Sequence, residues 1–577
     1  MDAFGIAIVA SLAVYLVVGN LAGRKVKHLD DYFVAGRNAP TLLILGTLVA
    51  SVIGTNSFLG DVSMAYSGYS MPLIFSVAIS VLGYVLGGLF FGRYLRRAGT
   101  LTVAEFFGRR FASRRIRVLA GLIVMVGLAG YLTTVTMGAG LILPKITNLT
   151  YVQSLLIVWV GYSAFTFYAG SQGVVITDTL MFLFFSVVGV IALAYIIGES
   201  GGWMATIEGL ATLDAREGII SAASYLGPGA NWESSAEIWI WTVIFALAWG
   251  VVFAISPWQS SRYLMARDEH VVMRSACITT IVLSILWPVV YFAGTAVALQ
   301  NPDIDPPAEA MIWAALNLMP PFAGALLLAG ILSAGLSSAS TFLSLTGFSI
   351  TNDVMQESSM DEQRRLRLTR ITVLGVGFGA LLVALVAPPR IFWITLFVAQ
   401  VFAACWGPVA FMSIWSKTIT ESGAFWGMLS GFVSFVVLRT LVLLEVIALP
   451  VYLHPILLGA AISLLTIVLV SRGGSISIEE RRFLAAIHVA PPELFDREKA
   501  ASTLVWPKLL IGWGFVIIGG LIFLYVRPYQ HATGLLDDGS FVVWSGEMLL
   551  AICYGGLIVL GGVIALVAIR RFFASGT

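Results

Sequence analysis

The sequence predicts an all-α protein that crosses a membrane many times, and three observations support this fold class. Hydrophobic residues make up 59% of the 577 residues and charged residues 11%, whereas a soluble chain carries about 25% charged residues. The apolar residues cluster in runs of about 20, the length at which a helix crosses the hydrocarbon core of a bilayer. These runs do not alternate in polarity as the strands of a membrane barrel do.

About fifteen transmembrane helices are predicted from these runs. They are expected at 3–22, 41–66, 70–93, 118–142, 150–169, 171–198, 236–258, 271–299, 320–351, 368–388, 391–415, 420–443, 450–471, 507–526 and 547–570. The first run is followed, not preceded, by basic residues, so it is predicted to be an uncleaved helix instead of a signal peptide.

The distribution of basic residues predicts the orientation in the cell membrane. With the N-terminus outside, alternation places all but five of the 33 Lys and Arg residues on the cytoplasmic side, as the positive-inside rule requires. The exceptions are Lys145, Arg216, Arg390, Arg439 and Arg527. The C-terminus is therefore expected in the cytoplasm. The net charge of +2 gives no indication of nucleic-acid binding.

Two of the predicted helices are interrupted at mid-membrane depth. The second contains Gly54, Thr55 and Asn56, and the seventh contains Gly250 and then Ser256-Pro257. Interrupted helices five apart are typical of an inverted repeat of five helices with its binding site at the midplane. The predicted organisation is an N-terminal helix and loop (1–40), a first repeat (41–235), a second repeat (236–418), two peripheral helices (419–472), a solvated cytoplasmic connector (473–506) and two additional C-terminal helices (507–577).

Two carboxylates lie inside the predicted helices, where ionisable groups are costly and commonly functional. Asp178 is about two turns into the sixth helix, and Asp61 lies toward the outer end of the second. Asp178 could instead face cytoplasmic water at a helix start, and Asp61 could lie at the membrane interface.

The ninth predicted helix carries a row of hydroxyl side chains. Residues 333–341 read SAGLSSAST, and hydroxyls at spacings of three and four residues share one helical face. They could bond to the helix's own carbonyls or to a neighbouring helix. They could equally bind sodium, because a hard cation takes oxygen ligands and the interrupted second helix would supply free carbonyls.

Four stretches resemble the sodium/solute symporter family. They are residues 31–37 (DYFVAGR), 50–60 (ASVIGTNSFLG), 259–268 (QSSRYLMARD) and 407–427, which contains Gly407-Pro408, Trp415 to Lys417 and Gly423-Ala424. The resemblance implies a sodium-driven symporter with an inverted-repeat, amino-acid-transporter-like fold, and Na+ as the only cofactor.

The resemblance also implies the positions of the ions. The first sodium is expected at the carbonyls of Ala50 and Ile53 together with the ninth-helix group Ala334, Ser337 and Ser338. A second sodium is expected at Asp178, Ser340 and Thr341, with Ser337 able to serve both sites. The sequence departs from the family pattern at Met181 and Ser261, where glutamine is usual.

The expected partners are sodium, a small solute and the lipid bilayer. The sugar-binding residues of the sugar-transporting branch have no counterparts here, so an amino acid or carboxylate-like solute is favoured. It is expected near Thr55, Asn56, Ser57 and Phe58, with contributions from Phe253 and Gln400, although helix packing would equally explain the last two.

The main alternative is a transporter-like sensor or regulatory subunit without net transport. No metal cluster, nucleophile–base pair or phosphate loop in the sequence favours a membrane enzyme.

Overall fold

A computed structural model describes residues 3–23, 29–355, 361–536 and 540–574. Over these residues the chain is helical, and its one isolated β-bridge pairs Ala39 with Ala266. In the described part of the chain, twelve helices are long and apolar enough to cross a membrane, and three shorter apolar helices accompany them. The predicted all-α membrane fold is confirmed. The basic residues Arg24, Lys25 and Lys27, which entered the orientation argument, lie outside the described residues.

The elements that matter for the site are labelled in chain order. They are α1 (Ala3–Gly23), α2 (Thr41–Ala50), α3 (Asn56–Ala98), α4 (Arg114–Ile146), α5 (Tyr151–Glu199), α6 (Ser235–Ile255), α7 (Pro257–Met265), α8 (Glu269–Gln300), α9 (Pro321–Phe348), α10 (Glu362–Val386), α11 (Ile391–Trp415), α12 (Glu421–Leu443), α13 (Pro455–Arg472), α14 (Arg497–Leu521) and α15 (Gly546–Ala574).

These elements do not match the fifteen predicted spans one for one. The second predicted span is divided between α2 and the start of α3, because the chain unwinds after Ala50. Helical hydrogen bonding then continues into the third predicted span, with a kink at Gly68, whose φ of 121° only glycine adopts easily. The single element α5 covers the fifth and sixth predicted spans.

The boundary between α6 and α7 is set by a Ser-Pro pair. Ser256 has an extended backbone (φ −60°, ψ 151°), and Pro257 is the first residue of α7. Proline lacks the N–H that a continuing helix needs, but its fixed φ suits the first position of a new helix. The predicted interruption of the seventh helix is therefore present, and α7 leaves it carrying Gln259 and Arg262.

The helices α3 and α6 approach backbone to backbone. A Cβ atom on Gly83 would lie 2.1 Å from the carbonyl oxygen of Gly250, and one on Gly87 would lie 2.5 Å from the Cα atom of Ala254. Small residues at such a crossing allow the close packing that holds helices together in lipid.

The connector (473–506) is packed against the core, contrary to its prediction as a solvated segment. It contains the helix Ile478–His488, which begins at a capping box formed by Ser477. Phe483 packs on Phe106, and Arg97 donates to the carbonyl of Ile487. The charged residues of this segment led to the prediction that it is solvated. The apolar face of the amphipathic helix nevertheless packs against the core.

The two C-terminal helices pack on each other and on α8. A Cβ on Gly514 would lie 2.7 Å from the carbonyl oxygen of Gly555, so α14 and α15 touch along their backbones. The Trp513 indole donates to the Ser284 hydroxyl at 3.0 Å, and the Tyr554 hydroxyl donates to the Ser284 carbonyl at 2.9 Å.

Candidate functional site

The segment between α2 and α3 has free backbone groups in the middle of the molecule. The N–H groups of Val52 and Ile53 both bond to the carbonyl of Val49, and those of Ser57 and Phe58 both bond to the carbonyl of Gly54. Among the described residues, the backbone N–H groups therefore leave the carbonyls of residues 50–53 unused. Carbonyl oxygens freed in this way can bind a cation only inside a protein-lined site.

The helix α9 faces this break with its hydroxyl side chains. The Ser337 hydroxyl lies 3.3 Å from the carbonyl oxygen of Ala50. A Cβ on Gly54 would lie 2.6 Å from the Ser338 hydroxyl and 3.6 Å from the carbonyl oxygen of Ala334. The structure thus brings Ser337 of α9 close to Ala50. It also brings Ser338 and the carbonyl of Ala334 close to Gly54. Ile53 is fully buried within the break itself.

Besides the carbonyl of Ala50, the Ser337 hydroxyl contacts the carboxylate of Asp178 on α5. Its Oδ1 accepts from the Ser337 hydroxyl at 2.6 Å, and its Oδ2 accepts from the Thr47 hydroxyl of α2 at 2.6 Å. The carboxylate is fully buried. The alternative of a helix-start group facing cytoplasmic water is therefore wrong, and Ser337 connects Asp178 to the break.

A guanidinium group stands beside Asp178. Arg262 Nη2 lies 3.4 Å from Asp178 Oδ2 and donates to the Thr341 hydroxyl. Asp178 and Thr341 are thus brought together, but with the side chain of Arg262 between them. Ser340 is turned away, because its hydroxyl donates to the carbonyl of Ser337 at 2.9 Å.

The residues predicted to bind solute begin α3. Asn56 Nδ2 donates to the Thr134 hydroxyl of α4 at 3.0 Å, and the Ser57 hydroxyl donates weakly to the carbonyl of Val52. Thr55 Oγ1 and Asn56 Oδ1 are buried and have no hydrogen-bond partner among the described residues. Buried polar atoms are nearly always paired, so these two are available to a bound molecule.

The aromatic residues of the predicted solute group point in different directions. Phe58 packs edge-on against Phe185 of α5. Phe253 stacks on Tyr84 at 5.0 Å between ring centroids and lies 5.6 Å from Trp287. Gln400 is buried in α11 and forms no hydrogen bond to the other five among the described residues. Helix packing accounts for Phe58 as it stands.

Asp61 is buried inside the protein. Its Oδ2 accepts from the Tyr291 hydroxyl of α8 at 3.1 Å, and Ser57 and the Trp287 indole lie beside the carboxylate. Within the described chain, Asp61 has no cationic partner. Trp287 Nε1 has no hydrogen-bond partner there either.

Asp61 shares a helical face with the start of α3. Residues 56–61 form a π-helical turn, in which hydrogen bonds join residues five apart. Asn56 and Asp61 therefore lie nearly one above the other. Tyr131 of α4 interacts with both of them. The Asn56 and Asp61 side chains therefore both lie near Tyr131.

Sequence reasoning did not find Thr47, Arg262 or the Tyr291–Trp287 pair. A signal was available for Arg262, since it lies five residues after a proline that starts a new helix. It was assigned to a cytoplasmic loop instead. No comparable signal marks Thr47, which is one of many hydroxyls in apolar runs.

Comparisons with known proteins give matches over most of the chain. The model of the sodium:solute symporter family matches residues 32–431. The sodium/pantothenate symporter of Escherichia coli (strain K12) is 25% identical over 480 residues, which are 81% of this chain and 96% of that protein. The sodium/proline symporter of Salmonella typhimurium is 24% identical over 514 residues, 84% and 96% of the two chains.

Solved structures show the same fold. A sodium-coupled sialic acid symporter, determined in a substrate-bound outward-open state, superposes with a TM-score of 0.69 at 17% identity, covering 83% of this chain and 99% of that one. The nucleobase-cation symporter Mhp1 in a closed conformation gives a TM-score of 0.53 at 12% identity, over 79% of this chain and 98% of that one.

Proposed function

The chain belongs to the sodium:solute symporter family, and we propose that it takes up a small, amino-acid-like solute together with sodium. Sodium coupling and a small organic solute follow from its membership and its relatives. The single observation that carries the proposal is the contact of Ser337 with the free carbonyl of Ala50.

The proposed sodium site lies between the break and α9. Its ligands are the carbonyls of Ala50, Ile53 and Ala334 and the hydroxyls of Ser337 and Ser338. A hydroxyl has one proton and two lone pairs. Because Ser337 gives its proton to Asp178 at 2.6 Å, its lone pairs are left for a cation on the side of Ala50.

This site couples ion binding to the shape of the carrier. The break belongs to the first repeat and α9 to the second, so a sodium ion between them holds the two repeats in one arrangement. Coupling requires that sodium bind one state better than the other. We assign the tighter binding to the outward-open state, in which sodium also orders the segment that receives the solute.

One end of the proposed solute site suits a negatively charged group, and the other end suits a positively charged group. The N–H groups of Gly54, Thr55 and Asn56 have no backbone acceptor among the described residues, and together with the helix N-terminus they suit a carboxylate. Asp61, one π-turn further on, suits an ammonium group, and aromatic rings of the kind found beside it attract organic cations. An amino-acid-like zwitterion would satisfy both ends, which a sugar would not.

The chain is proposed to lie in the cell membrane with its N-terminus outside and its C-terminus in the cytoplasm. The family consists of transporters, and we propose no chemical reaction for this member. Among the described residues, Arg93 and Arg97 pair with Glu269 at the ends of helices assigned to the cytoplasmic side, as the positive-inside rule expects.

The test is solute-stimulated entry of ²²Na+ into proteoliposomes that contain the purified protein. A panel of amino acids, betaines, carboxylates without an amino group, and sugars is added under an inward sodium gradient. We expect an amino acid or betaine to accelerate ²²Na+ entry, and potassium to be unable to support uptake of that solute. Uptake that is equal in sodium and potassium would contradict the proposal, and sodium-dependent binding without uptake would favour the sensor.

A further inference from the structure

The guanidinium of Arg262 contacts two members of a set of buried oxygen atoms. It is 3.4 Å from Asp178 Oδ2 and donates to Thr341 Oγ1. The hydroxyls of Ser337 and Thr47 complete the surroundings of the same carboxylate. All five side chains are at most 2% exposed. A carboxylate with several hydroxyls is the kind of oxygen set that binds a hard cation.

The geometry differs from that of an ion pair built for stability. Arginine has five N–H donors, and a buried pair offsets its desolvation only when these donors are satisfied. The Nε of Arg262 has no partner among the described residues, and the contact with Asp178 is long at 3.4 Å. The guanidinium therefore lies against these oxygens as an exchangeable cation would, and some of its N–H donors are unused within the part of the chain that the structure describes.

The three parts of this arrangement lie on three different helices. Asp178 is on α5 of the first repeat and Thr341 on α9 of the second. Arg262 is on α7, the half-helix that follows the break at Ser256-Pro257. Its charge is therefore tethered to a short helix, and it leaves the oxygen set whenever that helix moves away.

We propose that Arg262 is the resident cation of this second site, so that the carrier binds one sodium ion where the oxygen set would otherwise hold two. This inference rests on the proposed sodium-coupled function. Ser337 touches both the Asp178 carboxylate and the carbonyl of Ala50, so the position of α7 is transmitted to the sodium site. Arg262 thereby fixes the ion stoichiometry and couples α7 to sodium binding.

The experiment compares sodium binding by the wild type and by Arg262→Gln. Purified protein is titrated with NaCl, with N-methyl-D-glucamine chloride holding ionic strength constant, and the melting temperature and bound ²²Na+ are measured. The wild type should bind one sodium with a Hill coefficient of about 1, and Arg262→Gln should bind two with a coefficient approaching 2, since this coefficient is limited by the number of sites. The variant should also gain more thermal stability from sodium than the wild type does.

Further variants keep the result interpretable. Arg262→Gln combined with Asp178→Asn should return to one bound sodium, because the new site has lost its carboxylate. Arg262→Lys keeps a tethered cation and should remain at one sodium. Arg262→Met removes the charge as Arg262→Gln does, and it should bind two sodium ions if Arg262→Gln does not fold. Two sodium ions bound by the wild type, or one by a folded Arg262→Gln, would overturn the inference. Absence of any sodium effect on the wild type would instead overturn the proposed function.

Discussion

A Cβ atom on Gly54 would stand 2.6 Å from the Ser338 hydroxyl. Real Cβ atoms essentially never approach another heavy atom so closely, so a side chain at this position would require the Ser338 hydroxyl to move. Gly54 is there for this close approach and not for an unusual backbone angle. The contact joins the two halves of the proposed sodium site, and it can be tested by changing either side.

Gly54→Ala should weaken sodium binding by pushing Ser338 away from the break. We expect a rise of about tenfold in the sodium concentration for half-maximal stabilisation, which corresponds to about 1.4 kcal/mol. The measurement is the melting temperature against NaCl concentration. Gly198→Ala is the control, because a Cβ on Gly198 meets nothing within 4 Å. Equal sodium curves for the two variants would show that the contact does not shape the site.

Ser338→Ala should remove one oxygen ligand without creating a clash. Hydrogen bonds and similar contacts to charged groups are worth about 1.5–3 kcal/mol, so the sodium requirement for transport should rise at least about tenfold. Ser333→Ala is the matched control on the same helix, since the Ser333 hydroxyl bonds to the carbonyl of Ala329 four residues before it and interacts with Tyr15 of α1. An unchanged sodium requirement in Ser338→Ala would remove Ser338 from the ion site.

Asp178→Asn should destabilise the protein because it leaves the charge of Arg262 buried without its counter-ion. Removal of one partner from a buried pair costs about 3–5 kcal/mol, so the melting temperature should fall whether or not sodium is present. Glu309→Gln is the control, because its ion pair with Lys145 is partly exposed and such pairs contribute about 1 kcal/mol or less. A melting temperature like that of the wild type would mean that Asp178 and Arg262 are not paired in the folded protein.

Asp61→Asn should abolish binding of solutes that carry an amino group and leave sodium binding unchanged. The carboxylate has the Tyr291 hydroxyl as a hydrogen-bond donor and no cationic partner in the described chain. The measurement is a thermal-shift panel of amino acids and matched carboxylates in sodium, with Asp303→Asn in an outer loop as control. Amino acids that stabilise Asp61→Asn as they do the wild type would place the ammonium group elsewhere.

Much of the architecture could be predicted from local properties of the sequence. Apolar runs and the distribution of Lys and Arg indicate a helical membrane protein because the bilayer imposes both. The two interruptions were visible because Gly54 and the Ser256-Pro257 pair suit a break and not a continuous helix. The contact between Ala50 and Ser337 was expected from the family resemblance, and the structure places these residues at 3.3 Å.

The features that could not be predicted depend on contacts between residues that are far apart in the sequence. Arg262 was read as part of a cytoplasmic loop. Pro257 signals the start of a new helix, but no local pattern reveals that the Arg262 side chain reaches Asp178 of α5. The burial of Asp61 depends on the packing of α3 against α8, which joins residues 230 positions apart. The docking of the connector through Phe483 was obscured by the charged residues around it.

The contacts of Ser284 have a consequence for the order in which the protein can be assembled. This residue on α8 is held by Trp513 and Tyr554, which follow it by 229 and 270 positions. A chain emerging from the ribosome inserts α8 long before either partner is made, so this face of α8 first meets lipid. The face of α8 around Ser284 is therefore covered only after the last two helices have been inserted.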